Sequence, residues 1–155
     1  MKSNYLCEYQ SNLFSLSQQE HEEQIKIIQL FVENGLIKIG TKTYPIVYGD
    51  VYFINAGEGY SIVEIEEELV QNTIMISADH VKELAKMLDF ESEYYKIFEK
   101  KGHFHVASPH YKAIDRRFKE AFSVAAADKP FSKALFVSRV FELLNYAVVA
   151  LEKRK

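Results

Sequence analysis

The chain has 155 residues, 48% hydrophobic and 14% aromatic with no Trp, and a formal net charge of −3. That length holds one domain with a proper core and excludes two; the charge opposes a chain that grips a nucleic-acid backbone by itself, since its one basic cluster is Lys153-Arg154-Lys155. The single cysteine, Cys7, excludes an intrachain disulfide and suits a reducing cytoplasm, no run is long enough to span a bilayer, and Met1-Lys2-Ser3-Asn4-Tyr5 is no signal core, so a cytoplasmic protein without a membrane anchor is expected.

The chain divides near residue 78, with short strands and tight turns before it and helices after it, which is the order of a barrel or sandwich followed by helices. Gln24 to Val32 is rich in Ile, Leu and Phe, and Asn34-Gly35 follows, the dipeptide most suited to a hairpin, so Leu36 to Ile39 is predicted as the return strand. Thr43 to Val47 is a further strand, and Pro45 within it predicts an edge or a bulge because proline cannot donate to a ladder. Gly49-Asp50 turns into Val51 to Asn55. Ser61 to Ile65 leads to the acidic turn Glu66-Glu67-Glu68, read as a solvated charge cluster, and Val70 to Ser77 closes the set, with Ile74 and Ile76 on one face and Met75 on the other.

About four helices are predicted next. Asp79 caps the first, with Val81, Leu84, Ala85 and Leu88 on one stripe. Glu91 to Lys101 is the second, carrying Tyr94, Ile97 and Phe98 and stopping at Gly102. Ser108-Pro109 opens the third, with Tyr111, Ile114, Phe118, Phe122 and Ala125 on one side, and Asp128-Lys129-Pro130 ends it. The last, Phe131 to about Glu152, has apolar residues on more than one face, so it needs cover on more than one side. A partner-facing surface on this helix predicts a homodimer, with Val140, Leu144, Ala147, Val148 and Leu151 at the interface.

The stretch Gly49-Asp50-Val51-Tyr52-Phe53-Ile54-Asn55-Ala56-Gly57-Glu58-Gly59-Tyr60 resembles the second motif of the cupin barrels: a Gly-Asp turn, an apolar strand, a Pro-Gly turn and a metal-binding histidine. Ala56 stands where that proline would be and Tyr60 where the histidine would be. With the Glu-Asn-Gly turn and Lys42 to Ile54, the order resembles the N-terminal effector-binding and dimerisation domain of AraC-type transcription regulators. The likeness covers residues 20 to 78 by motif and the rest by element order. It implies a single unit over 1–155: a cupin-like, double-stranded β-helix barrel with an N-terminal arm over 1–78, then a helical dimerisation part over 79–155. It also implies DNA binding only through a helix-turn-helix domain that this chain lacks.

The cupin metal positions are depleted. Glu20-His21 keeps one histidine, Gln19 precedes it, Lys26 stands near the glutamate position and Tyr60 at the fourth; a cationic lysine repels a divalent ion, so no metal, cofactor or catalytic residue is assigned. His103-Phe104-His105 with His110 is read as surface or packing histidines between helices. Neither a Gly-x-Ser-x-Gly elbow, a P-loop nor a Rossmann glycine run is present. A barrel of this kind holds one small ligand. Tyr44, Tyr48, Tyr52, Phe53 and Tyr60 supply rings, and Tyr60, His21, Lys26 and Gln29 are the candidate ligand-binding residues. Met1 to Ser17 is a candidate arm over the ligand through Leu13, Phe14 and Leu16. The expected function is that of a bacterial sensor domain binding a small effector such as a sugar, not an enzyme. The alternatives are a small cupin isomerase or dioxygenase with an atypical site, and a purely structural dimerisation domain.

Overall fold

Strand β2 (Gln24–Leu30) is buried from Ile25 to Leu30, and strand β7 (Gln71–Ser77) from Gln71 to Ile76. Successive side chains point to opposite faces, so a strand buried at every position needs a layer on each side. A computed structural model, describing residues 5–11, 23–99, 103–104 and 110–153, shows both layers. β1 (Tyr5–Ser11), β5 (Val51–Ile54) and β8 (His103–Phe104) join β2 and β7 in a five-stranded antiparallel sheet of order β1-β7-β2-β5-β8. A second sheet of order β4-β3-β6 is built from β3 (Leu36–Ile39), β4 (Lys42–Pro45) and β6 (Tyr60–Val63). Four helices follow among the described residues: α1 (Ala78–Met87), α2 (Glu91–Glu99), α3 (Tyr111–Ala127) and α4 (Ser132–Lys153).

Two cores result, one on each face of the larger sheet. Ile25, Ile27, Val51, Phe53, Ile74 and Ile76 pack against the helices, where Val81, Tyr94, Phe118, Phe136 and Val140 meet them. Ile28, Leu30, Tyr52 and Ile54 face the smaller sheet, where Ile37, Ile39, Ile46 and Tyr60 meet them. Each fully buried aliphatic or aromatic side chain contributes about 1.5–3 kcal/mol, so both layers hold the sheet strongly.

The two sheets are not a closed barrel. Among the described residues no ladder joins them; β1 and β8 are the edges of one, β4 and β6 of the other. The smaller sheet's strands are only four residues each, and Pro45, on an edge strand as expected, cannot donate across that edge. The predicted Asn34-Gly35 hairpin is also absent. β2 pairs with β5 and β7 while β3 pairs with β4 and β6, so residues 31–35 cross from one sheet to the other. Neither Asn34 nor Gly35 has positive φ. The crossing is held instead by Glu67, whose Oε1 accepts from the Glu33 and Asn34 amides at 2.9 Å each; that carboxylate of the acidic turn has a structural task.

Other boundaries move for local reasons. Ser77, not Asp79, is the N-cap of α1, its Oγ accepting from the His80 amide at 3.4 Å. Leu88 caps the far end and is exposed rather than part of the buried stripe. In α3, Ala121 is buried where Phe122 was expected, and Phe122 is exposed; Asp128, left-handed at φ 50, ends the helix. The Ser108-Pro109 start lies outside the described residues. His103 and Phe104 form a short edge strand on β5 rather than a link between helices, opposite Tyr52 and Val51. Residues 5–11 of the proposed arm are a sheet strand, with Tyr5 opposite Ile76 and Cys7 opposite Ile74, whereas Leu13, Phe14 and Leu16 lie outside the described residues.

The last helix is less uniformly apolar than its composition. Phe136, Val140, Leu143, Leu144 and Ala147 face the chain's own core, so three of the five interface candidates, Val140, Leu144 and Ala147, are already covered. Val148 is half-buried, and the side chain of Leu151 lies outside what is described. The outward stripe of Leu135, Ser138, Asn145 and Val149 mixes apolar and polar residues. Glu142 beside it joins Arg139, Arg117 and Glu120 in an ion-pair network tying α3 to α4, with Arg117 Nε 2.5 Å from Glu142 Oε2 and Arg139 NH1 3.3 Å from Glu120 Oε2.

Candidate functional site between the two sheets

Polar side chains stand on the face of the larger sheet that should be driest. Cross-strand register sets three rows there: Met75, Lys26 and Ile54; Thr73, Ile28 and Tyr52; and Gln71 beside Leu30. Lys26 and Gln71 are fully buried and Thr73 is 3% exposed. Neither the Nε2 nor the Oε1 of Gln71, nor the Oγ1 of Thr73, has a hydrogen-bond partner among the described residues. Leaving such a group unpaired costs about 1–3 kcal/mol, so three such atoms on one face call for a partner, an ordered water or a ligand.

Lys26 crosses the space between the sheets. Its Nζ donates to the Glu58 carbonyl at 2.7 Å, in the Gly-rich loop that ends the cupin-like motif. Burial lowers its pKa from 10.5 to about 8, with the Glu58 charge opposing the fall. At neutral pH the interior therefore carries an ammonium group, and an oxygen-rich or anionic ligand suits it. Tyr60 faces the same space from β6, opposite Ile39 in register. Tyr44 and Tyr52 join it there, and burial, reinforced by nearby Asp50, pushes the Tyr52 phenol well above its usual range, so it stays a protonated donor.

Of the four candidate residues, the structure brings Lys26 and Tyr60 together and turns Gln29 away; His21 lies outside the described residues. Gln29 is three residues beyond Lys26 on β2, so it points to the opposite face. There its Nε2 donates to the carbonyls of Gly49 (3.1 Å) and Tyr111 (3.0 Å), and its Oε1 accepts from Asn72 Nδ2 at 3.1 Å. Gln29 thus locks α3 to the turn before β5. Gly49 serves the same docking: its φ is +86°, and a Cβ there would lie 2.7 Å from Tyr111 Cβ, so only glycine lets the helix approach. Of the rings proposed for a pocket, Phe53 packs toward the helices and Tyr48 stands beside Tyr111.

Gln71 and Thr73 were missed as site residues. A signal existed: Gln71-Asn72-Thr73 is a polar triplet opening a strand that continues Ile74-Met75-Ile76. The two candidates that face this space, Lys26 and Tyr60, are an ammonium and a phenol, and an ammonium repels a divalent ion. Among the described residues no three His, Cys, Asp or Glu side chains cluster to hold an ion, and no helix is long and apolar enough to cross a membrane.

No family model and no curated protein matches the sequence. Solved structures match in part. One is the plu4264 protein of Photorhabdus luminescens, at 13% identity and a TM-score of 0.35, over 55% of this chain and 62% of that one. Another is a Cupin 2 conserved barrel domain protein from Salinispora arenicola, at 18% identity and a TM-score of 0.33, over 43% of this chain and 56% of that one. The chain spans less than two thirds of the length of either neighbour.

Proposed function

We propose that this chain is a small-molecule-binding module rather than an enzyme, and that its ligand sits between the two sheets. The observation that carries this is the pair Thr73 and Gln71: buried, without hydrogen-bond partners among the described residues, and on the same sheet face as the Lys26 ammonium. That set asks for a compact ligand rich in oxygen, such as a sugar or a small organic acid, with tyrosine hydroxyls at hand to orient it. The AraC-type resemblance of the motif from Lys42 to Ile54 supports the finer reading, a ligand-sensing and dimerising domain of a bacterial transcription regulator that reaches DNA through another domain. In that reading two copies pair through the helical part, where Met87, Leu88, Phe122, Phe131, Leu135 and Val149 are among the exposed apolar side chains.

Thr73→Val tests the ligand site. Valine is close in shape and removes the hydroxyl, so the unliganded protein gains about 1–2 kcal/mol. A thermal-shift screen against sugars and small acids should find a compound that raises the melting temperature of the natural protein, and the variant should lose most of that rise. A hit whose shift survives both Thr73→Val and Gln71→Met would place the ligand elsewhere. Light scattering across micromolar concentrations tests pairing, and a monomer throughout would remove that element.

A further inference from the structure

We infer a second ligand site on the other side of the larger sheet: a cleft of about 550 Å³ between the β1 side of that sheet and α3, which takes a small planar organic anion such as an aromatic carboxylate. This goes beyond the inter-sheet reading and does not rest on it. The volume is in the range of small-molecule sites, roughly 300–1,000 Å³.

One wall is aromatic. Phe31, Tyr48 and Tyr111 stand edge to face, with ring centres 5.4 Å apart for Phe31 and Tyr48, 5.5 Å for Tyr48 and Tyr111, and 6.4 Å for Phe31 and Tyr111. Each ring fixes its neighbours, and Tyr48 is 42% exposed, so a flat ligand has a preformed surface to lie on. Another part of the lining is cationic. Lys112, Arg116 and Lys119 recur at helical spacing on α3 and line the cleft together. Like charges three and four residues apart repel, and among the described residues none of the three makes an ion pair.

Among the described residues lining the cleft one carboxylate, Asp115, stands against three cations, so a positive excess remains. Asp115 is held from within, its Oδ1 accepting from Asn72 Nδ2 at 2.8 Å and its Oδ2 from the Tyr9 hydroxyl at 3.2 Å. Burial first, and Asp115 second, raise the Tyr9 pKa, and burial raises that of Tyr48, so both phenols remain donors across the neutral range. The floor is rigid because Gln29 and Gly49 fasten Tyr111 to the sheet, which lowers the ordering cost of binding. Rings ask for a flat apolar body and the cations for an anionic group; one molecule with both satisfies the cleft. A nucleic-acid backbone suits it less, since the ring wall has no use for a phosphate and the chain carries a net charge of −3.

Calorimetric titration of the whole chain with 4-hydroxybenzoate tests this. Saturable one-to-one binding is expected. Arg116→Ala combined with Lys119→Ala should weaken it roughly tenfold or more, and raising salt from about 50 to about 500 mM should weaken it several-fold, as screening of exposed charges requires. Tyr48→Ala should weaken it too, while Thr73→Val should leave it unchanged, which separates this cleft from the inter-sheet site. No saturation up to about 10 mM, a binding free energy weaker than about −3 kcal/mol, overturns the inference. So does binding that the double variant leaves intact, or tight binding of a short oligonucleotide with none of the benzoate.

Discussion

Asn72 and Thr73 are neighbours on one strand and live in opposite circumstances. Asn72 points toward α3, where both polar atoms of its side chain are matched: its Nδ2 donates to Gln29 and Asp115, and its Oδ1 accepts from the Gln10 amide at 2.9 Å. Thr73 points between the sheets, where its hydroxyl and both polar atoms of nearby Gln71 have no partner among the described residues. A fold that completes one buried network so fully one residue away has the means to complete the other. The unmatched side is where the proposed ligand would find its partners, and partial satisfaction is worse for folding than an apolar replacement.

Breaking the matched side should cost most. Asn72→Ala strands the Gln29 Oε1, the Asp115 Oδ1 and the Gln10 amide at once, so we expect a loss of about 3 kcal/mol, measured by urea unfolding. A loss under about 1 kcal/mol would mean that water replaces the amide freely and that the two faces differ less than their hydrogen bonds suggest.

Lys26 sharpens the comparison through pH. Its folded pKa, about 8, is below the 10.5 of the unfolded chain. Between those values the unfolded chain holds a proton that the folded chain has released, so stability from this group rises with pH across roughly 8 to 10.5; below pH 8 the fold bears the whole cost of the buried ammonium. Lys26→Met should therefore stabilise the protein by about 1–3 kcal/mol at pH 7, and the advantage should shrink toward pH 10. Glu58 is in an exposed loop, so its carbonyl has water within reach when the lysine is gone. An advantage independent of pH would show that Lys26 is solvated in the folded state.

How much of this was legible in the sequence depends on what each feature answers to. The strands of residues 24–77 were placed to within a residue or two, because alternation and turn residues are local. Which strands pair was not legible. Asn34-Gly35 reads as a hairpin on local grounds, yet the chain needed to cross between layers, and Glu67, thirty-odd residues away, holds that crossing. The candidate site was half visible for the same reason. Motif position brought out Lys26 and Tyr60, whereas the face of Gln29 follows from register, which the sequence does not print. The last helix was half legible because composition counts residues and burial counts directions: Val140, Leu144 and Ala147 serve the chain's own core, while Leu135 and Val149 remain exposed.

The smallest expected effect is also the most direct comparison of the two faces, since it makes one chemical change twice. Gln29→Met and Gln71→Met each replace a fully buried amide by a thioether of similar length. At position 29 the change removes two donated bonds and one accepted bond and leaves the carbonyls of Gly49 and Tyr111 with one partner fewer, so it should destabilise by about 2 kcal/mol. At position 71 it removes only an unmatched amide, so it should stabilise by about 1 kcal/mol. Opposite signs in the same denaturation experiment confirm that the inner face is held short of its most stable composition. Equal signs would mean that Gln71 finds partners in solution, and the case for a ligand between the sheets would then rest on Thr73 and Lys26 alone.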